Sequence, residues 1–116
     1  FCGIDDGALG TIQAMECENA KHEIFHIGND VEISIEELVK ETGKYFNYDG
    51  EYKIAPTYPG SVSRRCPDLT KARKMLNFRP KTSWKEALRK TLDWYVDYYK
   101  ENPNKRFFQG PNKFYK

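Results

Sequence analysis

Two adjacent arginines, Arg64 and Arg65, stand immediately ahead of Cys66-Pro67-Asp68 and of a segment that reads as a helix start. A guanidinium holds anionic oxygens through a planar fork of N–H donors and stays charged at any physiological pH. Two of them before a helix, whose first amides and dipole also favour negative charge, make a candidate clasp for a phosphate-bearing ligand. The competing reading is a surface ion pair with the chain's own carboxylates. Asp68 reads as the helix cap rather than as a ligand. His22 and His26 read as surface or packing residues, and Gly28-Asn29 as a plain turn. Cys2, Cys17 and Cys66 are odd in number and widely spaced, with no Cys-x-x-Cys, which argues against a disulfide framework or a zinc site and fits a reducing cytoplasm.

The charge that such a clasp would draw on is unevenly placed. Net charge is only +2 over 116 residues, yet residues 1–63 carry 4 Lys against 12 Asp and Glu, and residues 64–116 carry 15 Lys and Arg against 5 Asp and Glu. The halves can attract each other, or the basic half can meet an anion. Nucleic acid is a weak candidate for that anion, because lysines alternate with acids along the last helix instead of forming one stripe. Hydrophobic residues make up 39% and charged residues 31%, a globular balance. No apolar run approaches the ~20 residues of a membrane helix, so no membrane role is expected. No secretory leader is recognisable, and a chain opening on FCGIDD without an initiator methionine is expected to be a piece of a longer protein.

The elements that must position the arginines follow from periodicity and caps. Asp5–Cys17 predicts a helix with Ala8, Leu9, Ile12 and Met15 on its inward face, with Asp5 or Asp6 capping it or favouring its positive end. Glu23–Ile27 and Tyr52–Ala55 predict two short strands. Between them, Ser34 and Glu37 have the spacing of a capping box, and Gly43 is expected to end that helix near Thr42 in a left-handed cap. Asp68 is expected to cap a helix over 69–76 that buries Ala72, Met75 and Leu76, with Asn77 in the left-handed position after it. Ser83 and Glu86 predict a second capping box. Trp84, Leu88, Leu92, Tyr95 and Tyr99 then recur at helical steps, an apolar stripe expected to be core. Two short strands make no independent sheet, so their partners are expected elsewhere.

Three segments in this order resemble one family. FCGIDDGALGTIQAM resembles a strand leading into a helix, EIFHIGNDVEISIEELV the segment that follows, and RRCPDLTKARKMLNFRPKTSWKEALRKTLDWY the closing segment, of extended short-chain dehydrogenase/reductases acting on nucleotide-diphosphate sugars. The match covers Phe1 to about Tyr99. Gly3, His26, Asn77 and Phe78 depart from the family's usual residues.

The resemblance implies an α/β fold class: the C-terminal substrate-binding part, residues 1–100, of a Rossmann-type parent, helix-rich with a few short strands, followed by an aromatic, Pro-containing tail over 101–116. It implies that Arg65 first, and Arg64 second, clasp the diphosphate of a UDP-, dTDP- or GDP-sugar. It also implies a parent that uses NAD(P), dimerises with itself and works in the cytoplasm as an epimerase, dehydratase or decarboxylase. The family's Gly-x-x-Gly-x-x-Gly fingerprint and Tyr-x-x-x-Lys pair are absent from the sequence. This chain alone is therefore expected to bind no cofactor and to be inactive without the N-terminal Rossmann part. The alternative is a stand-alone remnant that binds a nucleotide sugar or a protein partner without catalysis.

Overall fold

The computed structural model describes residues 1–103. Four helices follow one another: α1 (Ile4–Glu16), α2 (Ile35–Tyr45), α3 (Thr70–Leu76) and α4 (Trp84–Glu101), with a 3₁₀ turn at Glu18–Ala20 after α1. There is no strand among the described residues, so both expected strands are corrected. Residues 23–27 and 52–55 run without regular pairing. A strand is defined by the neighbour that takes its backbone N–H and C=O groups, and none lies alongside them here. The tail expected from 101 onward falls, from residue 104, outside the described residues.

The core is small. Leu69, Ala72, Leu76 and Phe78 are buried, and Ala14, Cys17, Ala20, Phe25, Ile27 and Met75 pack around them. Helix α1, the 3₁₀ turn and α3 meet at this cluster, while α2 pairs with α4 apart from it. The Cα radius of gyration, 17.7 Å, exceeds the ~13 Å expected of a compact chain of this length, which fits a molecule whose elements spread beyond its core.

Helix α1 turns the opposite way to its expected orientation. Ile12 and Met15 of the apolar stripe are exposed, and Asp6 and Gly10 are buried instead. The small side of the helix allows the closest approach: a Cβ on Gly10 would lie 2.6 Å from Ile27 Cγ2 and 2.9 Å from Phe78 Cε2. The N-cap is Gly3, and Asp5 and Asp6 lie in the first turn, at the positive end of the helix. The Asp6 carboxylate instead accepts the backbone N–H groups of Lys81 and Thr82, both at 2.9 Å, and fastens α1 to the approach of α4. Burial pushes its pKa up, but those two hydrogen bonds together outweigh that and hold the carboxyl below its usual value.

The local signals held where both partners lie within one turn. Ser34 Oγ accepts from the Glu37 amide at 3.0 Å and Glu37 Oε2 accepts from the Ser34 amide at 2.7 Å, a complete capping box. At α4 only half of the expected box forms, Ser83 Oγ accepting from the Glu86 amide at 3.2 Å. Asn77 takes the left-handed position with φ 52°, and the Phe78 amide reaches back to the Ala72 carbonyl at 3.2 Å. This turn drops Phe78 into the core beside Ala72 and Leu76.

Gly43 does not end α2. The helix continues to Tyr45 with Gly43 buried inside it, because the Tyr52 hydroxyl occupies the space a Cβ would need. The left-handed residue after α2 is Asn47, at φ 52°. Helix α4 buries none of its residues, so the stripe expected as core is at most half-buried, with Tyr95 and Tyr99 exposed.

Candidate functional site

Residues 64–69 carry no regular structure and lead into α3. The Gly28-Asn29 turn packs against this segment, with the Gly28 backbone so near that a Cβ would sit 3.0 Å from Pro67 Cγ. Asn29 is buried and fully engaged: its Oδ1 accepts from the Val31 amide at 2.9 Å and its Nδ2 donates to the Thr82 carbonyl at 3.3 Å. The turn thus supports the arginine segment and offers no free polar group of this side chain to a ligand. Cys66 Sγ donates weakly to the Asp30 carbonyl at 3.4 Å, a second tie between the two loops.

The acidic and basic halves meet here through three ion pairs. Glu23 pairs with Lys71, Asp30 with Arg73 through Nη2 at 2.9 Å, and Glu32 with Arg64. The last is bidentate, Arg64 Nε donating to Glu32 Oε1 at 2.6 Å and Nη2 to Oε2 at 2.8 Å. The Arg64 hydrogen bond holds the Glu32 carboxyl below its usual range. These pairs sit at the solvent surface, where each contributes little to stability. Their effect is to cancel charge: Arg64, Lys71 and Arg73 all have carboxylates, whereas Arg65 has no ion pair among the described residues.

Arg64 and Arg65 line an open depression of about 540 Å³ together with Phe25, His26, Cys66 and Pro67. Its lining is partly apolar, through Phe25, Ile27 and Pro67, and includes the Arg65 guanidinium, which has no ion pair among the described residues. A larger hollow of about 710 Å³ lies between α2 and residues 51–55, but its lining balances Glu36 and Glu51 against Lys40 and Lys53. An anion finds no net attraction there.

The end of α3 adds less than its position suggested. Asp68 Oδ1 accepts the Thr70 amide at 2.8 Å, so the first free N–H already has a carboxylate of the chain's own. The hydroxyl and amide of Thr70 keep the Asp68 carboxyl ionised to lower pH than usual. The expected cap is corrected: the helix starts at Thr70 and its N-cap is Leu69, while Asp68, one residue earlier, closes a short turn onto the Thr70 amide. Asp30, Glu32 and Arg73 were missed by reading the sequence. Their pairings span 43 and 32 residues, and no local pattern marks them.

The glycines at 3, 7 and 10 fall at the cap and within α1, where Gly10 serves helix packing rather than a phosphate-binding loop. The Tyr45 hydroxyl donates to Asp93, and this bond raises its pKa, the wrong direction for a tyrosine base. Among the described residues no group of three or more His, Cys, Asp and Glu converges on a point that could hold a metal ion. Nor is any described helix long and apolar enough to cross a membrane.

No protein-family profile matches the chain, and no solved structure matches it. Curated proteins do. A UDP-N-acetyl-alpha-D-glucosaminuronate decarboxylase of Bacillus cytotoxicus is 31% identical over 101 residues, covering 82% of this chain and 31% of that protein. UDP-glucuronic acid decarboxylase 5 of Arabidopsis thaliana is 31% identical over 88 residues, covering 76% of this chain and 25% of the relative. A trifunctional UDP-glucose 4,6-dehydratase/UDP-4-keto-6-deoxy-D-glucose 3,5-epimerase/UDP-4-keto-L-rhamnose-reductase of the same plant is 34% identical over 75 residues, 63% of this chain and 11% of its own length. The chain spans less than a third of the length of these relatives. It is similar, over most of its own length, to a portion of UDP-sugar decarboxylases and of a UDP-sugar dehydratase.

Proposed function

We propose that this chain is the closing, substrate-binding segment of an NAD(P)-dependent extended short-chain dehydrogenase/reductase that acts on a UDP-sugar, and that Arg65 holds the substrate diphosphate with Arg64 as its second. The observation that carries the reading is the Arg65 guanidinium: beside Arg64, Lys71 and Arg73, each of which has a carboxylate, Arg65 has no ion pair among the described residues, and it lines an open depression together with Phe25, Ile27 and Pro67. A diphosphate supplies the charge that Arg65 lacks, in the two-oxygen geometry a guanidinium binds best. The relatives named for UDP-sugar chemistry support that choice of ligand over nucleic acid.

In this reading the cofactor and the reacting residues lie in polypeptide outside the chain. NAD(P) would oxidise a sugar carbon, and the residues described here would bind and orient the nucleotide end. Two features fit such a division. Residues 23–27 pair with no strand among the described residues, and Ile24 among them is exposed, as at an edge awaiting further strands. Ile4 and Met15 on α1 expose an apolar face of the same kind.

The test is UDP binding by titration calorimetry on the natural full-length protein. Arg65→Ala should weaken UDP at least about tenfold, the loss expected for a charge-assisted hydrogen-bonded pair. Unchanged affinity in that variant removes the clasp.

A further inference from the structure

Arg64 is not vacant. Its side edge, Nε and Nη2, is filled by both oxygens of Glu32 at 2.6 and 2.8 Å. That is the arrangement in which a guanidinium receives two oxygens of one phosphate. The pairing is set by the fold. Residues 29–32 are fastened by the Asn29 side chain to Val31 and Thr82, by Asp30 to Arg73, and by the Asp30 carbonyl to Cys66. The Ser34–Glu37 box holds the chain on the other side of Glu32. A carboxylate delivered this way occupies Arg64 before any ligand arrives.

We infer that Glu32 is a resident competitor for Arg64, a positioning residue that a diphosphate must displace and a monophosphate leaves in place. This rests on the assignment of Arg65 as the first anion ligand. One phosphate can be held by Arg65 alone. The second phosphate reaches Arg64 only by displacing Glu32, and so gains the difference between phosphate and carboxylate at that fork. Glu32 then lowers affinity for the diphosphate without touching binding of the monophosphate. It also keeps Arg64 from gathering other anions.

The experiment measures UDP and UMP binding to the full-length protein by calorimetry, for the wild type, Glu32→Gln, Arg64→Ala, Arg65→Ala and the double variant Glu32→Gln/Arg64→Ala. Glu32→Gln should tighten UDP by up to about fivefold, the upper range for an exposed ion pair, and leave UMP unchanged. In the Arg64→Ala background the same change should do nothing. Glu32→Asp, which keeps the charge on a shorter arm, should give an intermediate gain. If Glu32→Gln tightens UDP and UMP alike, the effect is one of general charge and the competitor assignment is overturned. It is equally overturned if Glu32→Gln leaves UDP unchanged or weakens it while Arg65→Ala still costs tenfold; the clasp then stands alone. If Arg65→Ala has no effect, the clasp itself fails, and the competitor assignment fails with it.

Discussion

The seven residues of α3, with Leu69 before them and Phe78 after, supply the whole buried apolar cluster, whereas the eighteen residues of α4 supply none of it. Both helices carry apolar residues at helical spacing, and α4 carries more. The difference lies in what faces them. Helix α3 is pressed between α1 and the 3₁₀ turn, and the left-handed Asn77 folds Phe78 back under it. Helix α4 packs chiefly on α2, itself without a buried large side chain, and reaches α1 through the surface pair of Lys90 with Asp5. Periodicity therefore announces that a helix has a side to bury, and only the neighbours decide whether it does. One part of this molecule is a folded nucleus; the other leaves its apolar side chains largely exposed among the described residues.

The largest effect should come from removing the nucleus. Phe78 is fully buried. Phe78→Ala should cost about 3–5 kcal/mol, the range for deleting a core aromatic. With so few other buried residues, the expected result in a urea melt is loss of the cooperative transition. A shift of under 1 kcal/mol would mean that the cluster around α3 is not what holds the chain together.

Asp6 comes next, since it ties α1 to the segment ahead of α4. Asp6→Asn leaves one amide donor facing a backbone N–H in a buried site and should cost about 2 kcal/mol. It also carries a pH signature. The folded carboxyl titrates below its unfolded value of about 3.9, so its stabilisation is complete above that pH and is lost as pH falls through the folded value. The wild type should lose stability below about pH 4, and Asp6→Asn should lose it less steeply. Glu37 and Asp68, shifted the same way, leave part of the slope in place. An identical slope in the two proteins would detach Asp6 from the acid response.

Gly10→Ala tests the closeness of α1 to the nucleus. The added methyl collides with Ile27 and Phe78, and overpacking of this kind costs about 1–3 kcal/mol, offset by the ~1 kcal/mol that alanine contributes to a helix interior. A net loss of about 1 kcal/mol in thermal unfolding is expected. A net gain would show that α1 sits more loosely. On the other side of the molecule, Ser34→Ala removes one arm of the capping box and should lower α2 helicity by circular dichroism, at a cost of about 1 kcal/mol. It should leave the unfolding of the α3 nucleus in place.

What could be read from the sequence divides along the same line. Ser34 with Glu37 and the left-handed Asn77 are settled by residues within a turn or so of one another, which residue types can signal, although the same types at Ser83 and Glu86 form only half a box. Asp6 was read as a cap because aspartate before an apolar run usually is one. Its real partners lie 75 and 76 residues away. The apolar stripe of α1 was given to the core because exposure cannot be read from spacing, and the core took the glycine side instead. The strands expected at 23–27 and 52–55 do not form among the described residues, since a strand belongs as much to its neighbour as to its own residues. At the site, the sequence supplied the two arginines, and only the fold shows that Arg64 arrives with Glu32 already attached.

The smallest effect is expected where apolar character and burial part most completely. Ile54 is 96% exposed, on a segment in which every residue from 51 to 63 is exposed. A side chain that buries nothing in the folded chain has no transfer free energy to lose, so Ile54→Ser should leave stability within about 0.5 kcal/mol. Its consequence should lie in association: trimming a patch that includes Ile35 across the hollow from Ile54 should reduce concentration-dependent light scattering of the isolated chain. If Ile54→Ser instead destabilises by more than 1 kcal/mol, that surface is covered in solution, and the contrast between α3 and the outer elements narrows to one of partner rather than of packing. If stability holds and scattering falls, the outer half is apolar for the sake of a contact this chain does not itself contain.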